Sequence, residues 1–278
     1  MAQVALHDTG TQQRLARAVV LVHQYSLRIN TLVDDVVGAG SSGNAEVQVL
    51  TALVETPALR PREIMELTGL SRAGVAALVS RLEEIGLVER RHGKRDRRTV
   101  LTSLTRAGRR RLAELDRALE WHFVESRPIV AEIVALLCGD QASSAKREAS
   151  ETALMVLGKM GAAGAPYVSQ LVDEVGMANA NSRVALAALL ADGPLRPGKL
   201  ADVLELTSGG LTYLVNQLEA DGLVERSYGL LVEDRRAVVI ALTERGAEIA
   251  GTIASVFDAH SARICDALSL TLRPSSPD

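Results

Sequence analysis

Residues 59–93 read LRPREIMELTGLSRAGVAALVSRLEEIGLVERRHG, and residues 195–229 read LRPGKLADVLELTSGGLTYLVNQLEADGLVERSYG. The two stretches align without a gap and are identical at 15 of 35 positions. The repeat continues downstream, where the sequence DRR at 96–98 matches DRR at 234–236. An internal repeat of this kind decides the domain organisation of a chain. Since each copy is well over a hundred residues long, we expect two tandem domains, residues 1–140 and 141–278.

The composition favours a helical protein without a bulk affinity for nucleic acid. Of the 278 residues, 47% are hydrophobic, 23% are charged and only 3% are aromatic, and the net charge is −3. Any nucleic-acid binding must therefore come from local charge. Because we find neither an apolar run of membrane-spanning length nor a signal sequence, we expect a cytoplasmic, nucleoid-associated protein with no membrane partner.

The first copy contains a helix-turn-helix pattern. Helical periodicity covers residues 11–37 and about 45–56. A short helix then begins near Pro61, with Ile64 and Leu67 predicted on its buried side. Ser71 is a good N-cap for the next helix, and Gly86 is suited to end it. That helix has an apolar stripe spaced at i, i+3, i+4 and i+7: Val75, Leu78, Val79 and Leu82.

A predicted β-hairpin follows each helix-turn-helix. In the first copy, two short strand patterns flank the basic tip at 91–98, and further helices are expected over about 105–137. We place the hairpins, or wings, at about 87–102 and 223–240. The predicted fold is therefore mainly α with small β-wings: two tandem winged helix-turn-helix domains joined by long dimerisation-type helices. A disordered tail is expected from about residue 273.

This order of elements, with the phrase GLVER followed by DRR and LT, resembles the MarR family of bacterial transcriptional regulators. The resemblance covers both copies. Members are usually homodimers with one winged domain per subunit, so the resemblance implies a fused pseudo-dimer. It further implies double-stranded DNA as a partner, a small-molecule effector, and regulation that is most often repression. Activation of transcription stays an alternative to repression. For the oligomeric state, both a monomeric chain and further association of chains stay open.

The DNA-contacting residues are predicted on the second helix of each helix-turn-helix and on the wings. In the first copy they are Ser71, Arg72, Ala76, Ser80, Arg81, Lys94, Arg95, Arg97 and Arg98. In the second copy they are Thr207, Ser208, Thr212, Tyr213, Asn216, Gln217, Arg235 and Arg236. Residues 87–98 carry a local charge of +4, from six Arg or Lys and two acids, whereas residues 223–236 carry three of each and sum to 0. By the resemblance, Arg98 and Arg236 would lie near a minor groove, and relatives often brace that arginine with an Asp where this chain has Ser80 and Asn216.

Apart from DNA contacts, the sequence offers few candidates for a functional site. The resemblance implies an effector site between the winged domain and the dimer helices, for which we name His23, Tyr25, Trp121 and His122, although aromatic packing at a helix junction is the commoner explanation. We expect Cys138 and Cys265 to be packed thiols without a redox role. No pattern predicts catalysis, a cofactor or a metal. The alternative function is a protein-interaction or ligand-sequestering module in which only the first copy, or neither, binds DNA.

Overall fold

The computed structural model describes residues 9–37, 44–92, 100–139, 147–148, 150–228 and 238–272. The first copy contains α1 (Thr9–Val37), α2 (Asn44–Glu55), α3 (Pro61–Thr68), α4 (Arg72–Glu84), β1 (Val88–His92), β2 (Val100–Leu104), α5 (Arg106–Glu125) and α6 (Arg127–Cys138). The second contains α7 (Ala153–Val175), α8 (Ala180–Asp192), α9 (Pro197–Leu204), α10 (Ser208–Ala220), β3 (Val224–Tyr228), β4 (Val238–Leu242) and α11 (Glu244–Ser269). The predicted mainly helical fold with two small wings is confirmed.

The described chain forms two compact units. One comprises the described parts of Met1–Ser26, Pro128–Ser144 and Ala163–Ser269, and in it α8 packs against α9, α11 and β4. The other comprises the described parts of Leu27–Arg127, Ala145–Ala162 and Leu270–Asp278, and in it α2 and α4 pack against α3. Each unit therefore holds one complete winged helix-turn-helix, together with part of the first long helix of the other copy.

Both wings are two-stranded antiparallel hairpins with the same register. Val88 pairs with Leu104 in the first copy, and Val224 pairs with Leu242 in the second. The chain before α3 joins the hairpin through a single β-bridge: Leu59 N donates to Thr102 O at 2.8 Å, and Thr102 N donates back to Leu59 O at 2.8 Å. An equivalent bridge joins Leu195 to Ile240. These bridges tie each β-sheet to the start of its helix-turn-helix.

A glycine in the first turn of α5 and of α11 allows the helix to touch the wing backbone. A Cβ atom at Gly108 would lie 2.0 Å from Leu87 O, and one at Gly246 would lie 1.8 Å from Leu223 O. The preceding Thr105 caps α5, since its Oγ1 accepts from Gly108 N at 2.8 Å. The motif LT followed by Gly, recognised in the sequence only as a repeat, is therefore the joint between the wing and the helix that follows it.

The apolar stripe of α4 is buried as predicted, at Val75, Leu78, Val79 and Leu82. One core assignment on α3 is wrong: Ile64 is fully buried, but Leu67 is 41% exposed. Three positions advance a helix by about 300°, which places Leu67 about 60° around α3 from Ile64, at the edge of the face that packs against α2 and α4. An eight-residue helix packed on one side has room for only a narrow buried stripe.

The expectation of two packed thiols is also wrong. Cys138 at the end of α6 and Cys265 in α11 form a disulfide within one compact unit. The two cysteines are 127 residues apart, at positions that do not correspond in the two copies. Their proximity therefore depends on how α6 and α11 pack, which no local spacing in the sequence encodes.

Candidate nucleic-acid interface

Helix α4 is the recognition-helix candidate of the first copy. Its N-cap is Ser71, whose Oγ accepts from Gly74 N at 3.2 Å. Its outward face carries mostly small side chains and one exposed cation, at positions Arg72, Ala73, Ala76 and Ala77. Small side chains would allow this face to approach DNA closely. Methyl groups form no hydrogen bonds with base edges, so they could recognise little except the methyl group of thymine.

Two predicted contact residues of α4 already have partners within the fold. Ser80 Oγ accepts from Arg90 Nη2 at 2.7 Å. Arg81 forms an ion pair with Glu46 of α2, whose side chain is only 9% exposed. Because a buried carboxylate is costly to leave unpaired, the guanidinium of Arg81 is held at the helix surface and its reach toward a base is restricted.

Arg90 on β1 forms a contact between the wing and the recognition helix that the sequence analysis did not identify. Its Nη1 lies 3.2 Å from Glu83 Oε2, and its backbone N donates to Glu83 Oε1 at 3.2 Å. The same guanidinium donates to Ala76 O at 3.2 Å. We call this set of contacts the wing–helix clasp. It fixes the base of the wing against the middle of α4.

The clasp recurs in the second copy. Arg226 on β3 forms an ion pair with Glu219, and its backbone N donates to Glu219 Oε1 at 3.1 Å. Its Nη2 donates to Asn216 Oδ1 at 2.8 Å. Arg90 aligns with Arg226, and Glu83 aligns with Glu219. This repeated identity is the sequence signal that could have predicted the clasp. Ser80 and Asn216 therefore contact a strand arginine; the wing arginines Arg98 and Arg236 lie outside the described residues.

Helix α10 presents a more polar face than α4. Its N-cap Thr207 accepts from Gly210 N at 3.2 Å, and Thr212 Oγ1 donates to Ser208 O at 2.8 Å. Tyr213 is 67% exposed, and its hydroxyl accepts from Gln217 Nε2 at 3.1 Å. This face offers hydrogen-bonding groups where α4 offers methyl groups.

Six predicted contact residues belong to the tips of the two wings. Lys94, Arg95, Arg97, Arg98, Arg235 and Arg236 all lie outside the described residues. Their predicted contacts with phosphate or a minor groove stay predictions that rest on the sequence.

The four effector-site candidates divide between the two compact units. His23 and Tyr25 belong to the first unit, and Trp121 and His122 belong to the second. In the second unit Trp121 is 63% exposed, whereas His122 is buried. The Nδ1 atom of His122 forms a 3.1 Å hydrogen bond with Ser126 Oγ. The consecutive side chains therefore face different surroundings, and His122 has a structural partner.

Two half-buried polar side chains of the first compact unit, His23 and Tyr167, both lie within the influence of the charge on Arg183. Tyr25 is buried, and His23 Nε2 has no hydrogen-bond partner among the described residues. Burial, and then the charge of Arg183, lower the pKa of His23, so the imidazole is neutral at pH 7. Arg183 Nη1 donates to Met177 O and Ala178 O, both at 2.7 Å. Burial also raises the pKa of the nearby Tyr167 hydroxyl. Tyr167 and Arg183 were missed in the sequence because no local motif includes either residue.

Within the described ranges, no group of three or more His, Cys, Asp or Glu side chains is placed to hold a metal ion. None of the described helices is long and apolar enough to cross a membrane.

Several solved structures resemble part of this chain. A probable transcriptional regulator from Pseudomonas aeruginosa is 28% identical over 43% of this chain and 84% of its own, with a TM-score of 0.30. BpsR from Bordetella bronchiseptica, described as regulated in DNA binding by 6-hydroxynicotinic acid, is 24% identical over 43% and 78%, with a TM-score of 0.26. MarR from E. coli is 21% identical over 44% and 85%, with a TM-score of 0.31. No curated protein matches the chain.

The family comparison identifies the repeat. A scan against protein-family models matches the MarR family twice, at residues 42–99 and at 179–237. The matched segments contain both helix-turn-helix motifs, both clasps and the first strand of each wing. The chain therefore carries a MarR-family domain twice, which supports a DNA-binding transcriptional regulator.

Proposed function

We propose that this chain is a repressor that binds duplex DNA as an intramolecular pseudo-dimer. The observation that supports this proposal is the repetition, in one chain, of the same winged domain with the same N-cap position, strand register and clasp. A homodimer obtains two such domains from two subunits, whereas here one chain supplies both. Helices α4 and α10 would enter successive major grooves, with half-site centres about 34–36 Å apart.

The two halves would contribute unequally to binding. The stretch 87–98 carries a charge of +4, and the aligned stretch 223–236 carries 0. Each phosphate neutralised steepens the dependence of log K on log salt by roughly 0.9. The first copy should therefore provide most of the electrostatic attraction, and the operator should be an imperfect palindrome.

A small-molecule effector is proposed to act on the first compact unit. The half-buried side chains of His23 and Tyr167 and the buried Arg183 supply a neutral imidazole, a phenol and a guanidinium. The His23 Nε2 atom, which is buried and has no hydrogen-bond partner among the described residues, could accept or donate one more hydrogen bond. If a compound lowers DNA affinity by binding there, His23→Ala should weaken its effect without abolishing DNA binding.

Salt-dependent DNA binding of wing variants tests the proposal. Operator fragments would first be recovered from genomic DNA by pull-down, and their affinity measured between 50 and 200 mM salt. Arg98→Ala and Arg236→Ala should each reduce the salt slope by about 0.9 if each wing neutralises one phosphate. An unchanged slope in both variants would contradict the wing assignment.

The alternative is a module in which the second winged domain binds a protein. The observation that favours it is the exposure of two tyrosines, Tyr213 and Tyr228, beside a wing of zero net charge. In that case Arg98→Ala would lower the salt slope, whereas Arg236→Ala would leave both slope and affinity unchanged.

A further inference from the structure

The two recognition helices differ in how many hydrogen-bonding groups remain available to a base. Reading adenine through two hydrogen bonds requires an amide that offers both its oxygen and an N–H. Asn216 meets this requirement only in part, because its Oδ1 already accepts from Arg226 and keeps one lone pair for another donor. Gln217 does meet it, because the single described hydrogen bond of its side chain, from Nε2 to the Tyr213 hydroxyl, leaves Oε1 and a second N–H free.

Tyr213 holds Gln217 in place. The two residues are one helical turn apart on α10, and both are exposed. A free glutamine side chain loses rotamer entropy when it binds, so a hydrogen bond that fixes it beforehand reduces the cost of base recognition. The tyrosine hydroxyl keeps its own proton, which it can still donate to a phosphate or a base.

The aligned position in the first copy is arranged differently. Gln217 aligns with Arg81, and Tyr213 aligns with Ala77. Arg81 is paired with Glu46, and the residue that aligns with Glu46 in α8 is Ser182. The ion pair that restrains the α4 side chain therefore has no counterpart in the second copy, and this difference leaves Gln217 available.

We infer that sequence discrimination resides mainly in the half-site bound by the second copy, where Gln217, positioned by Tyr213, reads an adenine in the major groove. The first copy then anchors the protein through charge and close approach. The inference rests on the proposed function, since it requires that α10 enters DNA. The second copy, whose stretch 223–236 has no net charge, would select the site, and the first copy, whose stretch 87–98 carries +4, would hold the protein on it.

The experiment is selection from a randomised duplex pool with the full chain and with Gln217→Ala. The wild-type profile should show one arm with a strong adenine preference, and Gln217→Ala should lose that preference in that arm only. One bidentate contact corresponds to roughly a 5- to 150-fold discrimination against other bases. Tyr213→Phe, which keeps the ring and removes the hydroxyl, should reduce the preference by less than Gln217→Ala. Circular dichroism spectra checked against wild type establish that the exposed substitutions leave the fold intact.

A modified base identifies the contact directly. Replacing the selected adenine with 7-deazaadenine removes the N7 acceptor. The wild type should bind this site more weakly, whereas Gln217→Ala should bind both sites equally. Equal loss in the two proteins, or an adenine preference that survives Gln217→Ala, would overturn the inference while leaving the proposed function standing. If the wild type selects no sequence from the pool, the proposed function itself fails.

Discussion

The contact between Gly108 and the wing backbone gives a quantitative prediction. Gly108→Ala would place a Cβ atom 2.0 Å from Leu87 O, and real Cβ contacts essentially never fall below 3.0 Å. Helix α5 must therefore retreat by at least 1 Å. The movement would stretch the 3.0 Å bond from Thr105 N to Leu87 O and the bond from Thr105 Oγ1 to Gly86 O.

The magnitude follows from three effects. Overpacking costs about 1–3 kcal/mol, and each weakened hydrogen bond costs about 0.5–1.5 kcal/mol. The higher helix propensity of alanine returns up to about 1 kcal/mol. We therefore expect Gly108→Ala to lower the free energy of unfolding by roughly 1–5 kcal/mol, with about 3 kcal/mol as the central value. Gly246→Ala should behave in the same way, since its Cβ would lie 1.8 Å from Leu223 O.

Urea denaturation followed by circular dichroism measures the change through the midpoint and the slope. Gly164 in α7 provides the matched control, because a Cβ there would meet nothing within 4 Å. Gly164→Ala should stabilise the protein by up to about 1 kcal/mol. If Gly108→Ala and Gly246→Ala also stabilise the protein, the close contact between these glycines and the wing backbone would be contradicted.

Three further predictions concern the clasp, a half-buried ion pair and the buried histidine. Arg90→Ala should cost less than about 1 kcal/mol of unfolding free energy because its pair with Glu83 is partly exposed, and a double-mutant cycle should show non-additive losses; additive losses would argue against the clasp. Arg81→Met should cost about 1–3 kcal/mol in urea denaturation, since it leaves the buried carboxylate of Glu46 unpaired, whereas Glu46→Gln should cost less. The folded-state pKa of His23 lies below its unfolded value near 6.5, so its contribution to stability is present above pH 6.5 and is lost as the pH falls. The urea midpoint should therefore drop between pH 7.5 and 5.5 by less in His23→Gln than in wild type, and equal drops would contradict that assignment.

Local sequence signals predicted the helix-turn-helix well. Ser71 caps α4 through its side chain, and Gly86 follows that helix with a φ of 76°, a backbone conformation that favours glycine. Pro61 begins α3 as expected. These features depend on residues within a few positions of one another, which is why a single sequence reveals them. The repeat supports these assignments, because the helix-turn-helix pattern occurs twice at the same spacing.

The parts of the site that the sequence did not predict depend on contacts between elements. Ser80 and Asn216 looked free to read bases, but Arg90 and Arg226 reach them across the base of the wing. Arg81 looked like a DNA contact until α2 brought Glu46 beside it. Each of these partners is seven or more residues away, so helical periodicity carries no information about it. The repeated identities of the strand arginines and helix glutamates were the only local trace of the clasp.

The central claim is that one chain occupies a two-armed operator, and the stoichiometry of the complex tests it most directly. A footprinted operator fragment, bound to saturation, would be weighed by native mass spectrometry or analytical ultracentrifugation. The account predicts one 29.6 kDa chain per duplex, with two protected arms about 34–36 Å apart. Two chains per operator, or one chain that protects a single arm, would contradict it.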